Sequence, residues 1–333
     1  MKAFEIQQFG IENLALVERD IPAPKASEVL VKLHAASLNY RDLMMVRGLY
    51  NPRLKMPLVP FSDGAGEVVA VGETVKKWKV GDRVCPIFTQ GWLEGEPNAR
   101  KGRTDLGGDL DGVLREFAAF DEQSLVRIPQ HLSYEEGATL PCAAVTAWNA
   151  LIVSGKLKPG EKVLTQGTGG VSIFAVQFAK MLGAEVFATS SSDDKLEKVK
   201  QLGASEIINY KHTPDWDKFV LELTNKEGVD HVVEVGGAGT LGKSLNAVKI
   251  GGHIALIGVL TAGEVNPTSI LMKSIKVQGI FVGSRAMFEE MNSAIELNNL
   301  KPVIDKTFAF GETRDALKYM ESAQHFGKIV VKI

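Results

Sequence analysis

The stretch from Lys162 to Gly183 constrains this chain more than any other. It reads as an apolar run, Lys162-Val163-Leu164-Thr165, a glycine turn, Gly167-Thr168-Gly169-Gly170-Val171-Ser172, and a helical run from Ser172 to Leu182 closed by Gly183. Glycines permit the sharp change from strand to helix that this order demands. The alternation then continues, with β-branched runs at Glu185-Val186-Phe187-Ala188-Thr189, Glu206-Ile207-Ile208-Asn209-Tyr210, His231-Val232-Val233-Glu234-Val235, His253-Ile254-Ala255-Leu256-Ile257 and Ile275-Lys276-Val277-Gln278. Six strands separated by helices predict an α/β fold with a parallel, doubly wound sheet. The helix after the glycine turn is apolar nearly all round, so it must be covered on more than one side.

Between a strand and a helix, such a turn makes a phosphate cradle. Its glycines let a pyrophosphate approach the backbone, and the helix start offers free N–H groups and a partial positive charge. Gly167, Thr168, Gly169, Gly170 and Val171 are therefore expected to bind a dinucleotide. Ser172 stands where a third glycine is usual, which predicts a slightly wider helix–strand spacing. The second strand runs into Ser190-Ser191-Ser192 without the Asp or Glu that binds an NAD ribose. Asp193 and Asp194 read as first-turn helix residues. Ser190, Ser191, Lys195 one turn into that helix, and Tyr210 at the end of the next strand instead suit a 2′-phosphate, so NADPH is expected over NADH.

Residues 1 to about 130 are different in kind. Short β runs such as Val29-Leu30-Val31-Lys32-Leu33-His34, Gly66-Glu67-Val68-Val69-Ala70-Val71-Gly72 and Arg83-Val84-Cys85-Pro86-Ile87 lie between Gly, Pro and Asp turns, predicting a small antiparallel barrel. Ser133-Tyr134-Glu135-Glu136 matches a capping box at a helix start, and Pro141 is expected to kink or end that helix. The tail from about 284 reads as helix, strand, helix, strand, with Lys328-Ile329-Val330-Val331 returning to the first domain. The expected domains are 1–130, completed by 284–333, and 131–283. The segment 90–112 holds six Gly and eight charged residues without periodicity. It reads as a mobile surface loop, with a substrate lid as the alternative.

Composition excludes several classes. Thirty-eight Lys and Arg balance 40 Asp and Glu, which leaves no chain-wide positive field for nucleic acid. Cys85 and Cys142 are too few for a disulfide framework and too far apart for a Cys-x-x-Cys zinc pair. No signal-like apolar run opens the sequence, and no stretch of about 18 uncharged apolar residues is evident, so a cytoplasmic protein without a membrane span is expected.

Four motifs together resemble the medium-chain dehydrogenase/reductase superfamily, most of all its zinc-free quinone and enone reductases and the zinc-type alcohol dehydrogenase-like branch. They are Leu38-Asn39-Tyr40-Arg41-Asp42 with Arg47-Gly48-Leu49-Tyr50, Asp63-Gly64-Ala65-Gly66-Glu67-Val68 with Val71-Gly72, Leu140-Pro141-Cys142-Ala143-Ala144-Val145-Thr146-Ala147, and Gly169-Gly170-Val171. The resemblance implies a GroES-like β-barrel catalytic domain beside a Rossmann domain, with the substrate in the cleft between them. By position, the three zinc ligands of the alcohol dehydrogenases fall on Asn39, Ser62 and Cys142, a set that implies no metal. Without a Lewis acid, a conjugated acceptor is the easier substrate, because the developing charge spreads over an enolate or phenolate. Tyr50 is the implied proton or hydrogen-bond donor, and Asn39 the implied amide donor to the acceptor oxygen or to the nicotinamide ribose. Arg41 and Asp42 read as structural. Thr146, Gly258, Phe281 and Val282 are implied to flank the nicotinamide, and Lys328 to reach the cofactor. A homodimer paired through the edge strand around Lys276-Val277-Gln278-Gly279 is also implied. An alcohol dehydrogenase, or a dinucleotide-binding sensor or structural protein with little turnover, are the alternatives.

Overall fold

The computed structural model describes residues 1–99, Lys101 and 104–333. Arg100, Gly102 and Arg103, within the 90–112 segment, lie outside the described residues. The chain divides into two compact units, 1–145 with 283–333, and 146–282. The first division therefore falls beyond the expected position near 130, because the turns that start at Tyr134 pack with the barrel strands Glu28–Ser37 and Asp63–Val71.

In the first unit a seven-stranded sheet follows the order Ile304–Ala309, Lys328–Lys332, Glu28–Ser37, Asp63–Val71, Arg83–Pro86, Leu125–Arg127, and Phe117–Asp121 also pairs with Glu28–Ser37. Val29, Val31, Leu33 and Ala35 alternate inward along the long strand and are buried. The C-terminal strand does return to this unit, antiparallel to Glu28–Ser37 with Val330 opposite Ser37. The segment 90–112 is not loose at its ends. Trp92 and Leu106 are buried, Gln90 N–H donates to Thr104 O at 3.0 Å, and Thr89 Oγ1 donates to Asp105 Oδ1 at 2.7 Å. Burial of two large apolar side chains anchors what composition alone reads as mobile.

Ser133 and Glu136 form the expected reciprocal cap, Glu136 N to Ser133 Oγ at 3.1 Å and Ser133 N to Glu136 Oε2 at 2.8 Å. Pro141 does not end the helix. Wide, π-type turns at Leu140–Ala144 and again at Asn149–Ser154 accommodate the missing N–H, and the chain stays helical to Ser154. Of the expected kink or end at Pro141, the end is overturned. Tyr134–Ser154 is long and apolar enough to cross a membrane by length and composition, and 78% of its most apolar window is buried within the protein, as in a core helix.

The second unit carries the six-stranded sheet in the order Glu206–Asn209, Glu185–Ser190, Lys162–Gln166, Val229–Glu234, Val248–Leu256, Lys276–Gly279, with every pairing parallel. All six strands fall where their apolar runs placed them. Helix Gly170–Met181 follows the first strand and buries Ile173, Phe174, Ala175, Val176, Phe178 and Ala179. The strand order reverses between Lys162–Gln166 and Val229–Glu234. Crevices outside the carboxyl ends of strands at such a switch point are where doubly wound sheets bind ligands.

Candidate functional site

The glycine turn sits at that switch point. Gly167 has φ +69°, a left-handed conformation that favours glycine, and its N–H donates to Thr189 O at 2.7 Å. A Cβ added at Gly167 or Gly169 would meet no protein atom within 4 Å. The glycines therefore leave open space over the start of Gly170–Met181, where no side chain caps the helix. The space fits a dinucleotide pyrophosphate, which the backbone N–H groups of Thr168, Gly169, Gly170 and Val171 would meet while Gly167, its own N–H engaged, shapes the turn. Ser172 is buried and its Oγ donates to Gln166 O at 2.6 Å.

Ser190 and Tyr210 come together at the neighbouring strand ends, with Tyr210 N donating to Ser190 O at 3.0 Å. Ser190 is buried, Tyr210 is 41% exposed, and Lys195 lies in the first turn of Asp193–Gln201, which Ser192 caps. Ser191 precedes that cap. Asp193 is turned to Asn209, whose Nδ2 donates to it at 2.7 Å, and to His212 at 3.9 Å. No carboxylate ends the second strand.

On the far side of the same sheet end, Gly258 is required by close approach, since a Cβ there would lie 1.9 Å from Val235 O. Val282 adopts φ +51° and its carbonyl accepts from Asn149 Nδ2 at 2.8 Å, a tie the sequence did not suggest. Phe281 beside it is half-exposed, and Thr146 is buried. Glu234 was also missed. It is fully buried among five hydrogen-bond donors, and its signal was an acid at the end of an apolar strand, one residue short of Gly236-Gly237.

In the first unit, Asn39, Ser62, Asp63, Cys142 and Lys328 form one polar chain. Lys328 is buried, and its Nζ donates to Asn39 Oδ1 at 2.6 Å and to Leu38 O at 2.7 Å. Because the amide oxygen faces the ammonium, the amide nitrogen faces the other way and donates to Ser62 Oγ at 3.3 Å. Ser62 Oγ donates to Asp63 Oδ1 at 2.7 Å, and Cys142 N donates to Asp63 Oδ2 at 3.0 Å. Lys328 thus spends two of its donors within this unit. Burial pushes the Asp63 carboxyl up, opposed by Lys328 and by its hydrogen bonds, and burial likewise pushes the Cys142 thiol up. Asp42, the first-turn acid of Tyr40–Val46, accepts Asn39 N–H at 2.8 Å, and burial raises its carboxyl to about 7. Tyr50 lies beyond that helix, half-exposed, with the Arg41 guanidinium 5.5 Å from its ring centre. Arg41 also lies over Phe88 at 4.7 Å and donates to Leu106 O at 2.9 Å, so it joins the tyrosine's surroundings to the anchored 104–112 segment.

These donors do not fit zinc. The positions offer an amide bonded to an ammonium, a hydroxyl already donating to a carboxylate, and a single thiol, whereas zinc needs a full set of thiolates, imidazoles or carboxylates. Among the described residues, no three His, Cys, Asp or Glu side chains cluster to hold a metal.

Residues 25–130 match the alcohol dehydrogenase GroES-like domain family and residues 170–297 the zinc-binding dehydrogenase family. A zinc-type alcohol dehydrogenase-like protein of Schizosaccharomyces pombe is 46% identical over 97% of this chain and 96% of its own. The human quinone oxidoreductase is 28% identical over 95% and 92%. The crystal structure of a putative alcohol dehydrogenase from Sinorhizobium meliloti 1021 superposes with a TM-score of 0.93 at 40% identity, covering 100% of this chain and 98% of that one. With both family domains in order, a relative of this identity along nearly the whole chain and a cradle open for a dinucleotide, the chain belongs to the medium-chain dehydrogenase/reductase superfamily of oxidoreductases.

Proposed function

We propose that this protein is an NADPH-dependent reductase that transfers hydride to a quinone or an α,β-unsaturated carbonyl without a metal. The observation that carries the reading is the polar chain Lys328–Asn39–Ser62–Asp63, in which Asn39 and Ser62 stand, by the resemblance, at two of the three positions where alcohol dehydrogenases place zinc ligands. Bound NADPH supplies a hydride to the β-carbon of an enone or to a quinone ring. The charge arriving on the acceptor is delocalised, so hydrogen-bond donors suffice to stabilise it where an isolated alkoxide would call for a Lewis acid. Tyr50 carries an O–H that reaches solvent and supplies the proton that completes reduction. The 2′-phosphate is held by Ser190, Ser191, Lys195 and Tyr210, at a strand end with no repelling carboxylate. Names among the relatives include both quinone oxidoreductase and alcohol dehydrogenase, so saturated aldehydes are the necessary control.

The test is NADPH consumption by metal-stripped protein in a chelator, with matched quinone, enone and aldehyde acceptors. Turnover on quinone or enone but not aldehyde is expected; aldehyde turnover restored only by zinc refutes the reading. Lys195→Ala should reduce the preference for NADPH over NADH in measured dissociation constants, and an unchanged preference removes the 2′-phosphate assignment. The acting form is a homodimer in the cytoplasm. Strand Lys276–Gly279 ends the sheet, the same unit exposes Ile250, Val259, Leu260, Leu271 and Met272, which a second copy would cover, and both cysteines are free, as suits a reducing compartment. A monomeric mass in light scattering refutes the dimer.

A further inference from the structure

We infer that Glu234 is a positioning residue that ties the phosphate cradle to the turn after the fourth strand, so that the crevice is shaped before the dinucleotide arrives. The inference rests on the dinucleotide reading above. Glu234 ends Val229–Glu234, the strand beside Lys162–Gln166 at the point where the order reverses, and it is completely buried. Its Oε1 accepts Gly236 N–H at 2.8 Å, Gly237 N–H at 3.1 Å and Thr240 Oγ1 at 2.5 Å. Its Oε2 accepts Gln166 Nε2 at 2.8 Å and the Ser244 hydroxyl. No salt bridge to Glu234 occurs among the described residues, so these five donors compensate the buried charge.

One of those donors belongs to the cradle. Gln166 is the residue immediately before Gly167, and both polar atoms of its side chain are engaged around this carboxylate. Nε2 also reaches Ser244 Oγ at 2.7 Å, Oε1 accepts Val235 N–H at 3.4 Å, and its backbone carbonyl accepts the Ser172 hydroxyl at 2.6 Å. A continuous path therefore runs from the turn 236–240 through Glu234 and Gln166 to Ser172, with the glycine turn strung between its last two members. Both walls of the crevice share one buried carboxylate, and neither can shift without breaking charge-assisted bonds. Preorganisation of this kind lowers the ordering cost of binding and leaves the chemical step untouched.

Glu234→Gln places an NH2 where Gly236, Gly237 or Gln166 donates, opposing donor to donor. Expected is a dissociation constant for NADPH, read by fluorescence titration, about 10-fold higher or more, with kcat at saturating NADPH within about twofold. Gln166→Met should raise the constant comparably, and the double variant should be no worse than the worse single one, since both act through one contact. Thr240→Val, which removes one donor far along the turn, should raise it severalfold and carries the test if Glu234→Gln fails to fold. Folded variants with unchanged NADPH affinity, or multiplicative losses in the double variant, overturn the inference. Wild-type protein that binds neither NADPH nor NADH overturns the dinucleotide reading itself, which the variant comparison cannot mimic.

Discussion

Replacing Asp42 by Asn should stabilise the protein at pH 8 far more than at pH 5. Asp42 is fully buried; one carboxylate oxygen accepts Asn39 N–H at 2.8 Å and the other has no partner. Burial raises its carboxyl from 3.8 to about 7, against the pull of Arg41, the Asn39 hydrogen bond and Lys328 in the other direction. An acid with a raised folded pKa holds its proton more tightly when folded. Its contribution to stability is complete below the unfolded value and is lost as pH rises through the folded one. At about 1.36 kcal/mol per pH unit up to the folded value, and less beyond it, the rise from pH 5 to pH 8 costs wild type about 3 kcal/mol at this residue. Asn has the shape of the neutral acid, keeps an oxygen for Asn39 N–H and cannot ionise. Asp63 is raised in the same sense and repels an ionised Asp42, so removing the Asp42 charge relieves that repulsion and adds to the gain at high pH. Urea unfolding at pH 5, 6, 7 and 8 should show the Asn variant gaining about 3 kcal/mol over wild type across that range. A difference that stays flat, or that shrinks with pH, refutes the claim that burial dominates at this residue.

Gly258→Ala should cost about 3 kcal/mol or more in urea unfolding, because the new methyl would meet the Val235 carbonyl at 1.9 Å and the backbone must move. Gly167→Ala meets no protein atom, so only its φ of +69° penalises it, by about 1 kcal/mol. NADPH affinity should nevertheless fall about tenfold or more, because that space belongs to the pyrophosphate. Lys328→Met strips donors from Asn39 Oδ1 and Leu38 O and leaves Asp63 without its opposing cation, for an expected loss of about 3 kcal/mol in unfolding, with Lys328→Arg recovering part of it. Tyr50→Phe should lower kcat on an enone about 100-fold and erase the solvent isotope effect; an isotope effect that survives shows that Tyr50 only orients the substrate.

The second unit was legible because its signals are local. Parallel strands buried on both faces read as unbroken apolar runs, and the glycine turn announces itself between one such run and its helix. Val163-Leu164, Val186-Phe187 and Val232-Val233 are all buried, as that reading demands. The chain's most useful first-unit contact was not legible as geometry. Lys328 and Asn39 stand 289 residues apart and meet only because the C-terminal strand docks on Glu28–Ser37. His231 and His253, which show no paired spacing, lie in register on adjacent strands with ring centres 5.8 Å apart. The end of the first unit was misplaced for a related reason. Pro141 looks like punctuation, but a wide turn absorbs it and the division falls only after Val145.

Ser172 shows how a departure from a pattern is repaired by chemistry that the pattern does not contain. A third glycine acts through absence, by letting helix and strand approach. A serine there brings a side chain that must be buried, and burying a hydroxyl without a partner is costly. Its Oγ instead donates to Gln166 O at 2.6 Å, turning the intrusion into a bond from helix to strand end. The side chain of that same Gln166 is held by Glu234 and Ser244. The substitution at the cradle and the buried acid on the neighbouring strand are therefore parts of one arrangement. Ser172→Gly should weaken NADPH binding less than Glu234→Gln does, since it removes the last link of the path and leaves its anchor; a larger loss from Ser172→Gly would show that the hydroxyl, and not the carboxylate, sets the turn.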